Sequence, residues 1–238
     1  MSDSFKAVTW NVYAPTPATV LAPILRQQLK KGVSIFLMQE AGSADITKML
    51  RDAGLKTYSH SQWRIAWDPK VWTAVNRKAL RLSQTSYYSK TVKHDVYSEA
   101  VEVILCDAIG RSLDVISYHT PAHIQVPEAT RPANRYQAAV ESFKTLAGLA
   151  NASQCRAVLF GGDDNVDENH GIGAGTSLWS AWLRPATGLI QVQAPAGTHG
   201  KRKIDDFRIL PKTLVVGSGW VDFGGGDHRI HGREFTWK

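Results

Sequence analysis

Cysteine is scarce in this chain of 238 residues, which contains only Cys106 and Cys155. So few thiols exclude a disulfide-rich framework and a zinc site built from several cysteines. Both cysteines lie in apolar segments with the pattern of strands. One structural disulfide is compatible with this pattern, but two buried free thiols fit a reducing compartment better.

Long apolar runs are also absent. No segment approaches the ~18 apolar residues of a membrane span, and the first six residues lack the apolar run of a secretory signal. Hydrophobic residues make up 43% of the chain and charged residues 21%, which is enough for a substantial buried core. We therefore expect a cytoplasmic monomer that does not enter a membrane.

Acidic residues are fewer than basic ones, 21 against 28, so the net charge is +7. This excess favours a polyanionic partner, because Lys and Arg lower the cost of approaching phosphates. A basic surface with no such partner is the alternative. The basic residues cluster in segments that have the pattern of loops or of loop-to-helix junctions: Lys90 to Lys93, Arg131 with Arg135, and Lys201-Arg202-Lys203.

Strand and helix patterns alternate along the chain without a linker, which predicts one α/β domain over residues 1–238. Helical spacing of apolar residues predicts helices over 17–31, 43–50 (capped by Ser43) and 134–150. Apolar runs and alternation predict strands over 5–13, 33–38, 63–67, 74–82, 97–109, 112–118, 157–160, 188–192, 203–210, 213–216 and 234–237. Because both halves mix strands and helices, we expect two packed sheets flanked by helices.

Six short segments place polar side chains at the ends of predicted strands, where sites are usually built. Alone, each has an ordinary interpretation. A glutamate after a strand is usually solvated, a single histidine is more often structural, and glycines before an aspartate suit a tight turn. The segments contain Asn11, Glu40, His119, Asp163 with Asn165, Asp205, and Asp227 with His228 after a glycine-rich loop.

The combined set is more informative than its members. Carboxylates, asparagines and histidines with almost no cysteine suit a hard divalent cation, Mg²⁺ or Mn²⁺. Phosphodiester cleavage needs a cation against the developing charge, a carboxylate that positions or deprotonates water, and donors to the phosphoryl oxygens. The set supplies all three, which indicates a metal-dependent phosphoesterase.

The ordered motifs Trp-Asn, Gln-Glu, His-x-Pro, Gly-Asp-x-Asn, Ile-Asp and Asp-His resemble the endonuclease/exonuclease/phosphatase superfamily, which has the DNase I-like fold. They run from Asn11 to His228, almost the whole chain. No single motif is specific, but six in the family's order make a strong joint match. The resemblance implies a four-layer α/β/β/α sandwich of two packed mixed β-sheets, with the active site at one edge of the sheets.

The resemblance also implies a metal centre and a residue that activates water. Glu40 would be the principal metal ligand, Asn11 would hold metal-bound water or a phosphate oxygen, and Asp227 would be a further ligand. Asp163 would orient or deprotonate the attacking water, and Asn165 would help to hold it.

The two histidines have implied roles as well. His119 resembles the family histidine that contacts the phosphate and assists the leaving group. Asp205 would pair with His228 and fix its tautomer or raise its pKa, so that His228 presents a proton to the phosphoryl group.

Four positions depart from the family pattern. Tyr13 stands where many relatives have an acidic residue, which predicts a thinner metal shell. Asp164 replaces an apolar or aromatic residue and adds a charge near the metal, although strand alternation turns it away from residues 163 and 165. Gly226 replaces a serine, and Asp206 makes the choice of Asp205 depend on the Ile-Asp pattern.

The motifs do not choose the substrate, because the superfamily includes enzymes for DNA, RNA, sphingolipids and inositol phosphates. The net charge and the basic cluster Lys201-Arg202-Lys203 favour nucleic acid, DNA rather than RNA, with Arg135 as a further phosphate contact. Aromatic residues in predicted loops would stack on bases or fill the core: Tyr87, Tyr88 and Trp179. The alternatives are a phosphoesterase for a small molecule or phospholipid headgroup and a non-catalytic nucleic-acid-binding relative.

Overall fold

The computed structural model describes residues 3–89, 93–122, 133–166, 189–210 and 213–238. The three helices over these residues are α1 (Ala18–Lys30), α2 (Ala44–Asp52) and α3 (Ala133–Ala152). None of the described helices combines the length and apolar character needed to cross a bilayer. The strands are β1 (Ser4–Asn11), β2 (Val33–Gln39), β3 (Lys56–His60), β4 (Trp63–Trp67), β5 (Thr73–Arg81), β6 (Tyr87–Ser89), β7 (His94–Val96), β8 (Glu99–Cys106), β9 (Ser112–His119), β10 (Ala157–Asp163), β11 (Ile190–Val192), β12 (Asp205–Ile209), β13 (Leu214–Phe223) and β14 (Arg229–Trp237).

Two mixed six-stranded sheets form the centre of the molecule. The first sheet has the strand order β13-β14-β1-β2-β4-β3, and the second has the order β11-β12-β10-β9-β8-β5. In each sheet one parallel pair lies among antiparallel ones: β1 with β2, and β9 with β10. Strands β6 and β7 form a separate hairpin.

Three apolar clusters lie between the four layers of helices and sheets. The largest lies between the sheets and joins side chains such as Leu37 to Phe207. A second packs α1 and α2 against the outer face of the first sheet, and a third packs α3 against the outer face of the second. The predicted α/β/β/α sandwich is therefore confirmed, because each sheet buries both of its faces.

Local signals in the sequence account for the helix ends. The Ser43 hydroxyl accepts a hydrogen bond of 3.2 Å from the Ile46 amide, as predicted for the N-cap of α2. At the C-terminal end of α1, the Gly32 backbone amide donates to the Leu29 carbonyl at 2.9 Å and closes the last turn.

Several strand boundaries differ from the predicted ones. Strand β3 has no counterpart in the predicted pattern because its residues are polar and lie at the edge of the sheet. Strand β13 continues seven residues beyond the predicted end at 216, because a register shift after Val216 accommodates the Gly-Ser-Gly segment. Strand β14 begins at Arg229 rather than 234, since its polar first half is largely buried. Cys106 and Cys155 are free, as expected, but half-buried rather than buried.

A cluster of buried polar side chains lies on the outer face of the second sheet, beneath α3. Arg208 Nη2 lies 2.5 Å from Asp164 Oδ2, and the Tyr118 hydroxyl donates to Asp164 Oδ1 at 2.6 Å. The guanidinium of Arg208 also lies 5.3 Å from the ring centroid of Phe143 in α3. The fully buried Asp164 is therefore compensated by a cation and by a hydroxyl donor.

We expect the Arg208→Met variant to lose about 3–5 kcal/mol of unfolding free energy, because it leaves the Asp164 carboxylate buried without its cation. Urea denaturation of the purified variant measures this loss. The double variant Asp164→Asn/Arg208→Met removes both charges and keeps an acceptor for Tyr118, so it should be clearly more stable than the single variant. Equal stability of the two variants would show that the ion pair is not what stabilises this region.

Candidate active site

The pairing of three strands in the second sheet aligns three of the predicted site residues. Strand β10 lies between β9 and β12, and Asp163 is opposite His119 on one side and Asp205 on the other. Alternate residues of a strand face opposite sides of the sheet. Leu159, four residues before Asp163, and Phe207, two residues after Asp205, belong to the core between the sheets, so both carboxylates face the first sheet.

The first sheet contributes Asn11 and Glu40 from the ends of the parallel pair β1 and β2. Asn11 Nδ2 donates to Glu40 Oε1 at 3.1 Å and to Asp163 Oδ2 at 3.2 Å. One amide therefore links the carboxylates of the two sheets. Glu40 has a φ of +57°, a conformation that non-glycine residues rarely adopt and that often marks a functional site.

Buried hydrogen bonds behind this link hold the two sheets together. Gln39 Nε2 donates to the Ser117 hydroxyl at 3.0 Å, and that hydroxyl donates to the Met38 carbonyl at 3.1 Å. Both residues face the interior beside the site. They fix the distance between the strands that bear Glu40 and His119.

His228 is paired with Asp205, as the sequence predicts. Its Nδ1 donates to Asp205 Oδ2 at 2.9 Å, and its Nε2 lies 3.6 Å from Asp163 Oδ2. Burial alone would lower the pKa of His228, but the carboxylates of Asp205, Asp163 and Asp227 outweigh it and raise the pKa to about 10. His228 is therefore an imidazolium at neutral pH, with Nε2–H directed toward the site.

His119 and Asn165 lie on the other side of Asp163. Asn165 Nδ2 donates to His119 Nε2 and to the Thr120 carbonyl, both at 2.9 Å. The backbone N–H of Asn165 donates to Asp163 Oδ1 at 2.8 Å. His119 Nε2 is also 3.4 Å from Asp163 Oδ2. Asp163 thus lies between the two predicted histidines.

Strand alternation separates the neighbouring acidic residues. Asp164 and Asp206 point to the outer face of the second sheet, where Asp164 binds Arg208 and Asp206 accepts from Gln191 Nε2 at 2.6 Å. The expectation that Asp164 adds charge to the metal environment is therefore wrong, because its carboxylate is neutralised on the opposite face. The choice of Asp205 over Asp206 agrees with the hydrogen bond to His228.

The loop before His228 is held at several points rather than free. The Trp10 indole donates to the Gly224 carbonyl at 2.9 Å, and a Cβ added to Gly226 would lie 2.7 Å from the Cβ of Tyr13. Asp227 is exposed, with its carboxylate 3.4 Å from His199 Nε2. No hydrogen bond or ion pair among the described residues joins Asp227 to Glu40 or Asn11, so its place in a metal shell stays a prediction.

Two histidines near the site are not predicted from the sequence. The His199 ring lies 4.8 Å from that of His228, and a β-bridge joins the two residues. His231 is fully buried, and its Nδ1 donates to the Asp205 carbonyl at 3.0 Å, which fixes the backbone that bears Asp205. Burial lowers the pKa of His231 to about 3, so it is neutral. The predicted site residues are identified by their position at the ends of apolar strands. His199 and His231 do not have that position, so the sequence gives no such signal for them.

The basic cluster Lys201-Arg202-Lys203 borders the site. It follows His199 in a turn closed by hydrogen bonds between His199 and Arg202, and the Arg229 amide binds the Thr198 carbonyl at 2.6 Å. Arg202 Nη2 lies 3.4 Å from the Asn165 carbonyl. The turn therefore joins the second sheet to the strand that begins after His228.

Arg135 has a different environment. Its guanidinium donates to the Tyr88 carbonyl at 2.9 Å and to the Ala122 carbonyl at 3.4 Å, and it lies 5.6 Å from the Tyr87 ring centroid. These contacts tie α3 to the β6–β7 hairpin, and none of them involves a residue of the site. Its role as a phosphate contact stays a prediction. Lys90, Arg131 and Trp179 lie outside the described residues.

The donor set fits a hard divalent cation. Glu40, Asp163 and Asp205 bring three carboxylates to one edge of the sheets, and His228 is the cation hydrogen-bonded to one of them. Asp205 Oδ1 is buried without a hydrogen-bond partner among the described residues. Oxygen ligands and unbalanced negative charge are what Mg²⁺ and Mn²⁺ require.

No protein-family model matches this sequence, and no curated protein is significantly similar to it. Several solved structures are similar in fold. The human Nocturnin catalytic domain with bound sulfate has a TM-score of 0.73 at 14% identity, over 100% of this chain and 96% of that one. An endonuclease/exonuclease/phosphatase family protein from Bacteroides thetaiotaomicron has a TM-score of 0.72 at 13% identity, over 99% and 98%. TDP2 of D. rerio in complex with a single-strand DNA product has a TM-score of 0.67 at 12% identity, over 98% and 99%.

These similarities cover nearly the whole of each chain, including both sheets and the strand ends that carry the site. The TM-scores establish the fold, but at identities this low the substrate stays open. The resemblance stated from the sequence is thus confirmed at the level of the fold: this chain has the DNase I-like fold of the endonuclease/exonuclease/phosphatase proteins.

Proposed function

We propose that this protein is a divalent-metal-dependent phosphodiesterase and, more specifically, a nuclease that hydrolyses DNA. The observation that carries the proposal is the environment of Asp163. Its carboxylate accepts from Asn11, which also binds Glu40, and lies within 3.6 Å of ring nitrogens of both His119 and His228. A water-activating carboxylate, a cation site and donors to a phosphoryl group therefore adjoin one another.

Each side chain of the site has a separate role in the proposed reaction. Glu40 and Asn11 would hold Mg²⁺ or Mn²⁺, with Asp227 as a further ligand, and the ion would neutralise charge on the phosphoryl oxygens. Asp163 orients and deprotonates the attacking water, and Asn165 holds that carboxylate through its amide. The water attacks phosphorus in line with the departing oxygen.

The histidines act on the phosphoryl group. His228 donates from Nε2–H to an oxygen that gains charge in the transition state, and Asp205 keeps it protonated and oriented. His119, on the other side of Asp163, contacts the phosphate and assists the leaving group. This arrangement would place the side chains of both histidines around the same phosphorus.

DNA as the substrate is supported by the charge beside the site. Lys201, Arg202 and Lys203 lie on the turn that contacts the Asn165 carbonyl and the strand after His228. A phosphate backbone that enters the site would pass this turn, and each neutralised phosphate releases counterions. The TDP2 structure of the same fold contains a single-strand DNA product.

A phosphoesterase for a small phosphate ester is the second candidate. The observation that favours it is a structure of the same fold, the mannosyl-6-phosphatase Bt3783 of Bacteroides thetaiotaomicron, with a TM-score of 0.69 at 12% identity over 98% of this chain and 99% of that one. Such an enzyme would use the same metal and histidines but would not need the basic turn.

A plasmid assay tests the proposed function. Wild-type protein with Mg²⁺ or Mn²⁺ should nick supercoiled plasmid, stop when EDTA is added, and lose at least a hundredfold in rate in the Asp163→Asn variant, because a positioned base contributes ~10²–10⁴-fold. Intact plasmid and single strands with every divalent metal, together with hydrolysis of bis(4-nitrophenyl) phosphate, would favour the second candidate. DNA binding without any hydrolysis would indicate a binding protein.

The basic turn has a matched test. Replacing Lys201, Arg202 and Lys203 with alanine should weaken DNA binding and lower the slope of log K against log salt, while metal affinity stays unchanged. Fluorescence anisotropy over a salt series measures both quantities. The control is the triple variant Arg26→Ala/Lys30→Ala/Arg51→Ala, which removes three exposed charges from α1 and α2. Equal losses in the two variants would indicate a nonspecific effect of net charge.

The pKa of His228 can be measured in metal-free protein. A ring titration by NMR should give a pKa of about 10, well above the ordinary 6.5, and Asp205→Asn should lower it. Because the folded pKa is raised, this proton stabilises the fold fully below pH 6.5, and its contribution is lost as the pH rises through about 10. A wild-type value near 6.5 would contradict the cationic role of His228.

A further inference from the structure

Two departures from the family pattern, Tyr13 and Gly226, are in direct contact. A Cβ added to Gly226 would lie 2.7 Å from Tyr13 Cβ and 3.3 Å from Tyr13 Cγ. A serine at position 226, which the family pattern favours, would therefore displace the tyrosine. The absence of a side chain at Gly226 leaves room for the Cβ and Cγ atoms of Tyr13.

Tyr13 is held in an unusual backbone conformation. Its φ is +55°, which a bulky side chain rarely adopts and which glycine or asparagine adopts readily. Its amide donates to Asn11 Oδ1 at 3.0 Å, and its carbonyl accepts from the Thr16 amide at 2.7 Å. A residue needed only for this turn would be glycine or asparagine, so the tyrosine ring requires another explanation.

Tyr13 lies beside residues of the proposed site, and its side chain is partly exposed. Tyr13 follows Asn11 by two residues, and Ala14, next in the chain, donates to Glu40 Oε2 at 3.1 Å. On its other side Tyr13 touches the loop that leads to His228. Tyr13 is 43% exposed, and its hydroxyl makes no hydrogen bond to the described residues. A partly exposed aromatic side chain therefore lies between the strand end that bears Asn11 and the loop that leads to His228.

We propose that Tyr13 is a stacking platform for the nucleobase next to the scissile phosphodiester, in the space that Gly226 leaves open. This inference rests on the proposed nuclease function and names what the site recognises beside the phosphate. A tyrosine here adds no negative charge to repel the DNA backbone, unlike the acidic residue of many relatives. Stacking on an aromatic side chain tolerates any base, because every base has a π-face.

Three variants separate the ring from the backbone. Tyr13→Asn keeps the tolerated φ and removes the ring, Tyr13→Phe keeps the ring, and Gly226→Ser displaces it. The substrate is a short single-stranded oligothymidylate with methylphosphonate linkages except for one central phosphodiester. Two further oligomers replace the nucleoside on the 5′ or the 3′ side of that linkage with an abasic residue.

The measured quantity is the ratio of kcat/KM for the full substrate to kcat/KM for each abasic one. For wild type and Tyr13→Phe, one abasic substrate should be cleaved about tenfold less efficiently than the full one, a typical effect of losing one stacked base. Tyr13→Asn and Gly226→Ser should bring that ratio close to one, and the double variant should show no further change. Thermal unfolding of each variant confirms that it is folded.

The outcomes distinguish this proposal from the function on which it rests. If wild-type protein cleaves all three oligomers but Tyr13→Asn leaves both ratios unchanged, the platform is refuted and the nuclease function stands. If Gly226→Ser leaves the ratios unchanged while Tyr13→Asn abolishes the preference, the role assigned to Gly226 is wrong. If wild-type protein cleaves neither these oligomers nor plasmid DNA, the nuclease function itself fails.

Discussion

The register of strand β10 between β9 and β12 is the constraint on which the rest of the site depends. It places Asp163 beside His119 and Asp205, and a shift by one residue would turn each of these side chains to the opposite face. The register is fixed by the two different environments of the sheet. Its inner face packs in the apolar core between the sheets, and its outer face carries the Asp164–Arg208 pair beneath α3.

The same alternation gives the two acidic pairs in the sequence different chemistry. Asp163 and Asp205 face the first sheet, where Asn11 and His228 meet them. Asp164 and Asp206 face the other way and are satisfied by Arg208, Gln191 and a backbone amide. Charges adjacent in sequence are therefore separated by the thickness of a sheet, and only the inner carboxylates face the proposed site.

Much of this arrangement can be predicted from the sequence, because strand ends are local signals. The apolar runs before Glu40 and Asp163 identify both residues, and the order of the motifs identifies the fold. The polar strand β3 and the second half of β13 lack such a signal. Asp164 shows the limit: its sequence position suggests a charge near the metal, whereas its partner Arg208 comes from a strand more than 40 residues away.

The residues least predictable from the sequence are those that surround the site and contact its members. His199 reaches the site through a β-bridge to His228, and His231 reaches it through a hydrogen bond from its Nδ1 to the Asp205 carbonyl. The contact between Tyr13 and Gly226 joins positions more than 200 residues apart, and each looks in the sequence like an isolated departure. Low sequence identity to proteins of the same fold is therefore compatible with the shared fold and with different residues around the proposed site.

In the proposed function, the edge where the two sheets meet would bind a divalent cation and a phosphoryl group together. Anomalous diffraction from crystals grown with Mn²⁺ and a nucleoside monophosphate tests this binding. Mn²⁺ should lie within coordination distance of Glu40 and Asn11, and the phosphate should lie within hydrogen-bonding distance of His228 Nε2. Manganese bound elsewhere, with no phosphate at His228, would contradict it.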